Sequence, residues 1–136
     1  MKGLAEHGLD LDMPLDVARA VLCAAVDARA EAIRSRYVTP GATMALVYAA
    51  KAAEATALRD DLNPSPERFP LLQASKRDDE PLADVATEVL DAIATTTRVF
   101  ALVETSRLRT KRKICAAPTV ADAVAAMNSE KWLDEV

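Results

Sequence analysis

The chain has 136 residues, 51% hydrophobic but only 4% aromatic, and a net charge of −4; that is one domain's length, with material for one modest core. The charge disfavours a dedicated nucleic-acid binder, which needs an excess of Lys and Arg, and no apolar run approaches the ~20 residues of a bilayer-spanning helix. Ala, Val and Leu dominate and only three residues are Gly, so the expected fold is all-α, with small side chains that bring helix axes close.

Residues 1–13, MKGLAEHGLDLDM, read as an N-terminal arm, either a short extended strand or a loose turn. The segment is too short, too acidic and too broken by glycines for a signal peptide, so synthesis in the cytoplasm is expected. Pro14 suits the first turn of a helix, where its missing N–H costs nothing. The first helix is predicted from Leu15 to Tyr37, with Leu15, Ala18, Leu22, Val26, Ile33 and Tyr37 on one stripe. Arg19, Asp27, Glu31 and Arg34 lie off that stripe, and Val17, Val21 and Ala24 widen the apolar surface on another side.

A sharp corner follows at Thr39, Pro40 and Gly41. Thr39 is expected to cap the second helix through its hydroxyl, with Pro40 at the first helical position. So short a connection predicts antiparallel neighbouring helices. The second helix is expected over Pro40 to Leu62, with Met44, Val47, Tyr48, Ala55, Leu58 and Leu62 as its stripe, ended by Asn63-Pro64-Ser65-Pro66. Glu67 to Asp79 reads as irregular: Pro70 excludes ordinary helix, and Phe69, Leu71 and Leu72 fold back over the core.

A third, long helix begins near Pro81 and meets no Pro or Gly before Pro118. Its stripe is Leu82, Val85, Val89, Ile93, Thr96, Phe100 and Val103, and its reach is about 50 Å against about 35 Å for the first helix. Thr119 and Asp122 form a capping box for a short fourth helix, Val120 to Met127. The expected organisation is thus an arm (1–13), a helical bundle domain (14–127) and an acidic tail (128–136) holding the sole Trp, Trp132. The fold class is an antiparallel three-helix bundle, a helical hairpin plus one long helix, with a short C-terminal helix and flexible termini.

No catalytic constellation is visible, and an enzyme is not expected. His7, the one histidine, reads as a solvated polar residue, without companions at ligand spacing. Pro40-Gly41 lacks the glycine spacing and lysine of a phosphate loop. No Ser, Cys or Lys nucleophile sits beside a recognisable base, and the acidic runs Asp60-Asp61 and Asp78-Asp79-Glu80 lack the alternation of a calcium loop. No cofactor or metal is expected. Cys23 and Cys115, each in an apolar helical context, read as two buried reduced thiols, with a disulfide left open.

Arg107, Arg109, Lys111, Arg112 and Lys113 crowd the far end of the long helix. The simpler reading is that cations there complement the helix dipole; the other is a site for phosphate or an acidic partner. With no interleaved aromatic, the cluster argues weakly for nucleic acid. The excess length of this helix leaves Leu108 and Ile114 needing cover. These two, the five cations and Trp132 are the candidate partner-binding residues.

Three patches resemble a family of short helical phage proteins encoded in the tail and tail-fibre region: RYVTPGATMALVYAAKAAEA (36–55), RFPLLQAS (68–75), and PLADVATEVL with VETSRLRTKRKICAA (81–90 and 103–117). The last contains the family's Glu-x-x-Arg-Leu element at Glu104, Arg107 and Leu108. The resemblance spans about Arg34 to Ala117. Thr43-Met44 stands where the family usually has Gly-Gln, and TTTRVF where it often has an aromatic such as Trp. The resemblance implies a non-enzymatic tail, baseplate or fibre-attachment component of the virion, partnered by itself or by other phage structural proteins. It offers no catalytic residues. A tail-fibre assembly chaperone and a small nucleic-acid-associated helical protein are the alternatives.

Overall fold

The computed structural model describes residues 3–135; positions 1–2 of the expected arm and 136 of the expected tail lie outside them. Its regular structure is helical: α1 (Leu15–Arg34), α2 (Met44–Asp60), α3 (Pro70–Ser75), α4 (Leu82–Ala116) and α5 (Val120–Asn128). Short 3-10 turns occupy Ala5–His7, Ser35–Tyr37, Pro66–Arg68 and Leu133–Glu135. The fold is all-α, with no strand among the described residues.

The chain forms two compact units. One combines the described residues up to Val38 with those from Val99 onward; the other is Thr39–Arg98. The continuous helix α4 contributes to both.

In the first unit α1 buries Ala18, Leu22, Val26, Ala30 and Ile33, all at 0–1% exposure. These positions recur every three or four residues and form one narrow stripe. Val103 and Ile114 of α4, and Val120, Ala123 and Val124 of α5, join them in a single cluster. Thr119 caps α5 as its sequence predicts: its Oγ1 accepts from the Asp122 N–H at 3.1 Å and donates to Asp122 Oδ2 at 2.8 Å.

Described residues from the expected arm and tail pack against this cluster. Leu9 is buried in the same cluster, with Leu4 and Met13 packed against it. Gly3, at φ +96°, comes so close to α5 that a Cβ there would lie 3.2 Å from Val124 Cγ1. In the expected tail Trp132 is 4% exposed, while Asp134 pairs with Arg29 at 3.0 Å and Arg36 at 3.4 Å. In a chain this poor in aromatics, the indole is the largest apolar group available to close a core built of Ala and Val.

The second unit is built on Ala55 and Leu58 of α2, Phe69 and Leu72, and Val85 and Ala86 of α4. Four expectations fail in this unit. The stretch after Pro66 is not irregular throughout: Pro70 opens α3 rather than excluding it, because a first-turn residue has no intrahelical N–H bond to lose. And α2 starts at Met44, not Pro40. Gly41 takes φ +123°, a conformation open to glycine, and the turn closes with Met44 N–H on the Gly41 carbonyl at 3.1 Å. Thr39 therefore caps nothing; its hydroxyl is hydrogen-bonded to that of Tyr48. Leu62, expected on the α2 stripe, lies beyond the helix and is fully exposed.

α3 takes its N-terminal cap from another helix. Glu54 of α2 accepts from the Leu71 N–H at 3.1 Å and the Leu72 N–H at 2.9 Å, satisfying two amides that a six-residue helix leaves open. Glu54→Ala should lower stability by about 1–3 kcal/mol, the cost of unpaired part-buried donors. Urea unfolding checks this, with Glu54→Gln, which keeps one acceptor, falling between wild type and Ala.

Candidate functional site

The basic end of α4 is largely consumed within the first unit. Arg107 reaches Glu104, one turn before it, at 2.7 and 2.8 Å, and Asp27 of α1 at 2.9 Å. Lys111 Nζ donates to both Asp27 oxygens, at 2.9 and 3.1 Å. Arg109 grips Glu130 with two guanidinium nitrogens, at 2.5 and 3.1 Å. Three of the five cations thus tie α4 to α1 and to the segment after α5. Only the Glu104–Arg107 pair is legible in the sequence, as an i, i+3 spacing; Asp27 and Glu130, distant along the chain, carry no such signal.

The electrostatics follow from these contacts. Lys111, and then Arg107, hold the Asp27 carboxyl below its ordinary range. Arg107 does the same for Glu104. Glu130 is the most demanding group, with a side chain only 4% exposed. Burial alone would raise its carboxyl, but the Arg109 fork prevails and lowers it, helped by Ser106. Ser106 and Thr110, buried polar residues on α4, are accounted for by this site; Thr110 also donates to the Ser106 carbonyl at 2.7 Å.

The remaining candidates separate. Ile114 is fully buried and Trp132 nearly so, and neither is available to a partner. Val103 and Ile114 of α4 are buried in one cluster with residues of α5, Leu9 and Trp132. Arg112 and Lys113 are exposed and have no carboxylate within ion-pair distance among the described residues. With half-buried Leu108, Ala101 and Thr105 they border a shallow groove of about 620 Å³ along α4. Both cysteines carry free thiols, Cys23 half-buried and Cys115 exposed, so the expectation of two buried thiols holds for neither in full. Cys115 sits in the last turn of α4 and is exposed.

In the second unit the start of α2 is exposed, including Tyr48 of its expected stripe. From Met44 to Ala53, α2 carries one charged residue, Lys51, and no buried side chain. Leu46 is 71% exposed and Tyr48 41%. The corner Thr39-Pro40-Gly41 that leads into this stretch is itself exposed.

Among the described residues no His, Cys, Asp and Glu side chains gather in a group able to hold a metal ion, and no helix is long and apolar enough to cross a membrane. Comparison of the chain with family models, with curated proteins and with solved structures finds no match to any of them.

Asp27, Glu104 and Glu130 all bind protons more weakly in the folded chain than in the unfolded one. Their stabilisation is complete above the ordinary carboxyl range of about 4 and is lost as pH falls through that range toward the depressed folded values. The melting temperature should therefore drop on acidification below about pH 5. Arg109→Ala, which leaves Glu130 buried without its cation, should lower the melting temperature at pH 7, and adding Glu130→Gln should restore part of the loss. The Arg109→Ala penalty should shrink at low pH, where Glu130 takes up a proton. Thermal melts of wild type and the two variants across pH 3–8 measure all of this.

Proposed function

We propose that the chain is a non-enzymatic helical assembly protein that docks through the exposed apolar start of α2, and that it serves as a structural component of a tailed-phage virion at the tail, baseplate or fibre attachment. The observation that carries the docking role is the Met44–Ala53 stretch, where Leu46 and Tyr48 stand in solvent on a helix with one charge in ten residues. Exposed apolar surface on so weakly charged a stretch is stabilised when a partner covers it. The place in a phage particle rests on the resemblance of residues 34–117, which includes this same helix. Self-association is the first partner tested, since virion parts are commonly symmetric repeats.

A nucleic-acid role fits less well. Three of the five clustered cations already face carboxylates 2.5–2.9 Å away, which leaves little free charge to replace counterions on a phosphate backbone.

Leu46→Glu places a charge on the face without touching a buried residue. Sedimentation equilibrium should show wild-type self-association and a monomeric Leu46→Glu chain of unchanged helicity. A wild-type monomer whose capture of structural proteins from infected cells survives Leu46→Glu would refute the docking face. Mass spectrometry of purified particles separates the two phage roles: stoichiometric presence supports the structural part, and absence points to a fibre-assembly chaperone.

A further inference from the structure

In the first unit α1 and α4 lie side by side in a register set by direct contacts. Arg19 Nη2 of α1 donates to the Ala117 carbonyl at 2.6 Å, just past the end of α4. One end of Asp27 takes Lys111 Nζ at 2.9 Å. Cys23 lies about one helical turn from Arg19 and one from Asp27. Cys115 lies one turn beyond Lys111 and just before Ala117. The two thiols are thus brought opposite each other between two fixed contacts. Cys23 packs against the core, and Cys115 is exposed to solvent. Burial, reinforced by the neighbouring Cys115, pushes the Cys23 thiol up and keeps it protonated at neutral pH.

We propose that Cys23 and Cys115 form a reactive dithiol that closes to a reversible intramolecular disulfide, locking the α1–α4 seam when the protein meets an oxidising low-molecular-weight disulfide. The exposed Cys115, as thiolate, attacks one sulfur of the oxidant. The oxidant's S–S bond breaks, and one small thiol leaves and takes up a proton. Cys23 then loses its proton and attacks the Cys115 sulfur of the mixed disulfide, expelling the second small thiol. Two protein S–H groups are oxidised to one S–S bond, and one small disulfide is reduced to two thiols. A reducing cytoplasm keeps the pair open, and an oxidising exterior closes it.

The test uses the full chain and glutathione disulfide. After incubation, remaining thiols are alkylated at low pH and the digest is mapped by mass spectrometry. The expected product is a monomer lighter by two hydrogens, with no alkylated cysteine and with the Cys23 and Cys115 peptides linked. Its melting temperature should rise by roughly 10 °C, the effect of closing a loop of about 90 residues, and return on adding dithiothreitol. Cys23→Ser should accumulate the glutathione adduct on Cys115, and Cys115→Ser should react far more slowly than wild type. Wild-type protein that keeps glutathione on Cys115 beside an alkylated Cys23, or that links only between chains, would overturn the proposal without recourse to any variant.

Discussion

The first unit depends on how closely other segments can approach α1. Ala18 and Ala30 present a single methyl group at the buried stripe, and Leu22, Val26 and Ile33 interleave with them. Small side chains let α4 and α5 come near enough for contacts of unusual reach: a guanidinium on a terminal carbonyl and a carboxylate shared by two cations. A core of larger residues would hold the helices apart and leave these polar groups to water. Close packing of small residues also forfeits buried area, because each contributes little apolar surface. The chain offsets this by drawing in its own ends, Leu9 from one side and Trp132 from the other.

The same economy explains the charges. An exposed ion pair on a helix surface adds little, and most of this protein's pairs are of that kind. The Arg109–Glu130 pair differs because the carboxylate is buried. Its worth lies in specificity: Glu130 can be buried only where a fork of donors meets it, which fixes the course of the chain after α5. The basic cluster that looks in sequence like a binding site is therefore chiefly internal architecture. Exposed apolar side chains lie elsewhere, on the first turns of α2.

The pairing of the α4 cations and the exposure of the start of α2 both escape what helical periodicity reports. A stripe of Met44, Val47 and Tyr48 is apolar whether it faces its own core or another molecule. The pattern cannot tell the two apart, since both bury the face in the end. Likewise a run of cations at a helix end reads the same whether its carboxylates lie across the seam or on a partner.

The sequence by itself determined the all-helical class, the long uninterrupted α4 and the Thr119–Asp122 cap. These are local properties: propensity, proline and glycine placement, and capping chemistry act over a few neighbouring residues. Only the tertiary structure decided that the apolar residues form two clusters, that Pro70 opens a helix capped by Glu54, and that Trp132 is core. It alone paired Asp27 with Lys111 and set Cys23 beside Cys115. Each of those outcomes joins residues far apart in the chain, and a contact of that kind is chosen by competition among all available surfaces, which no short stretch of sequence records.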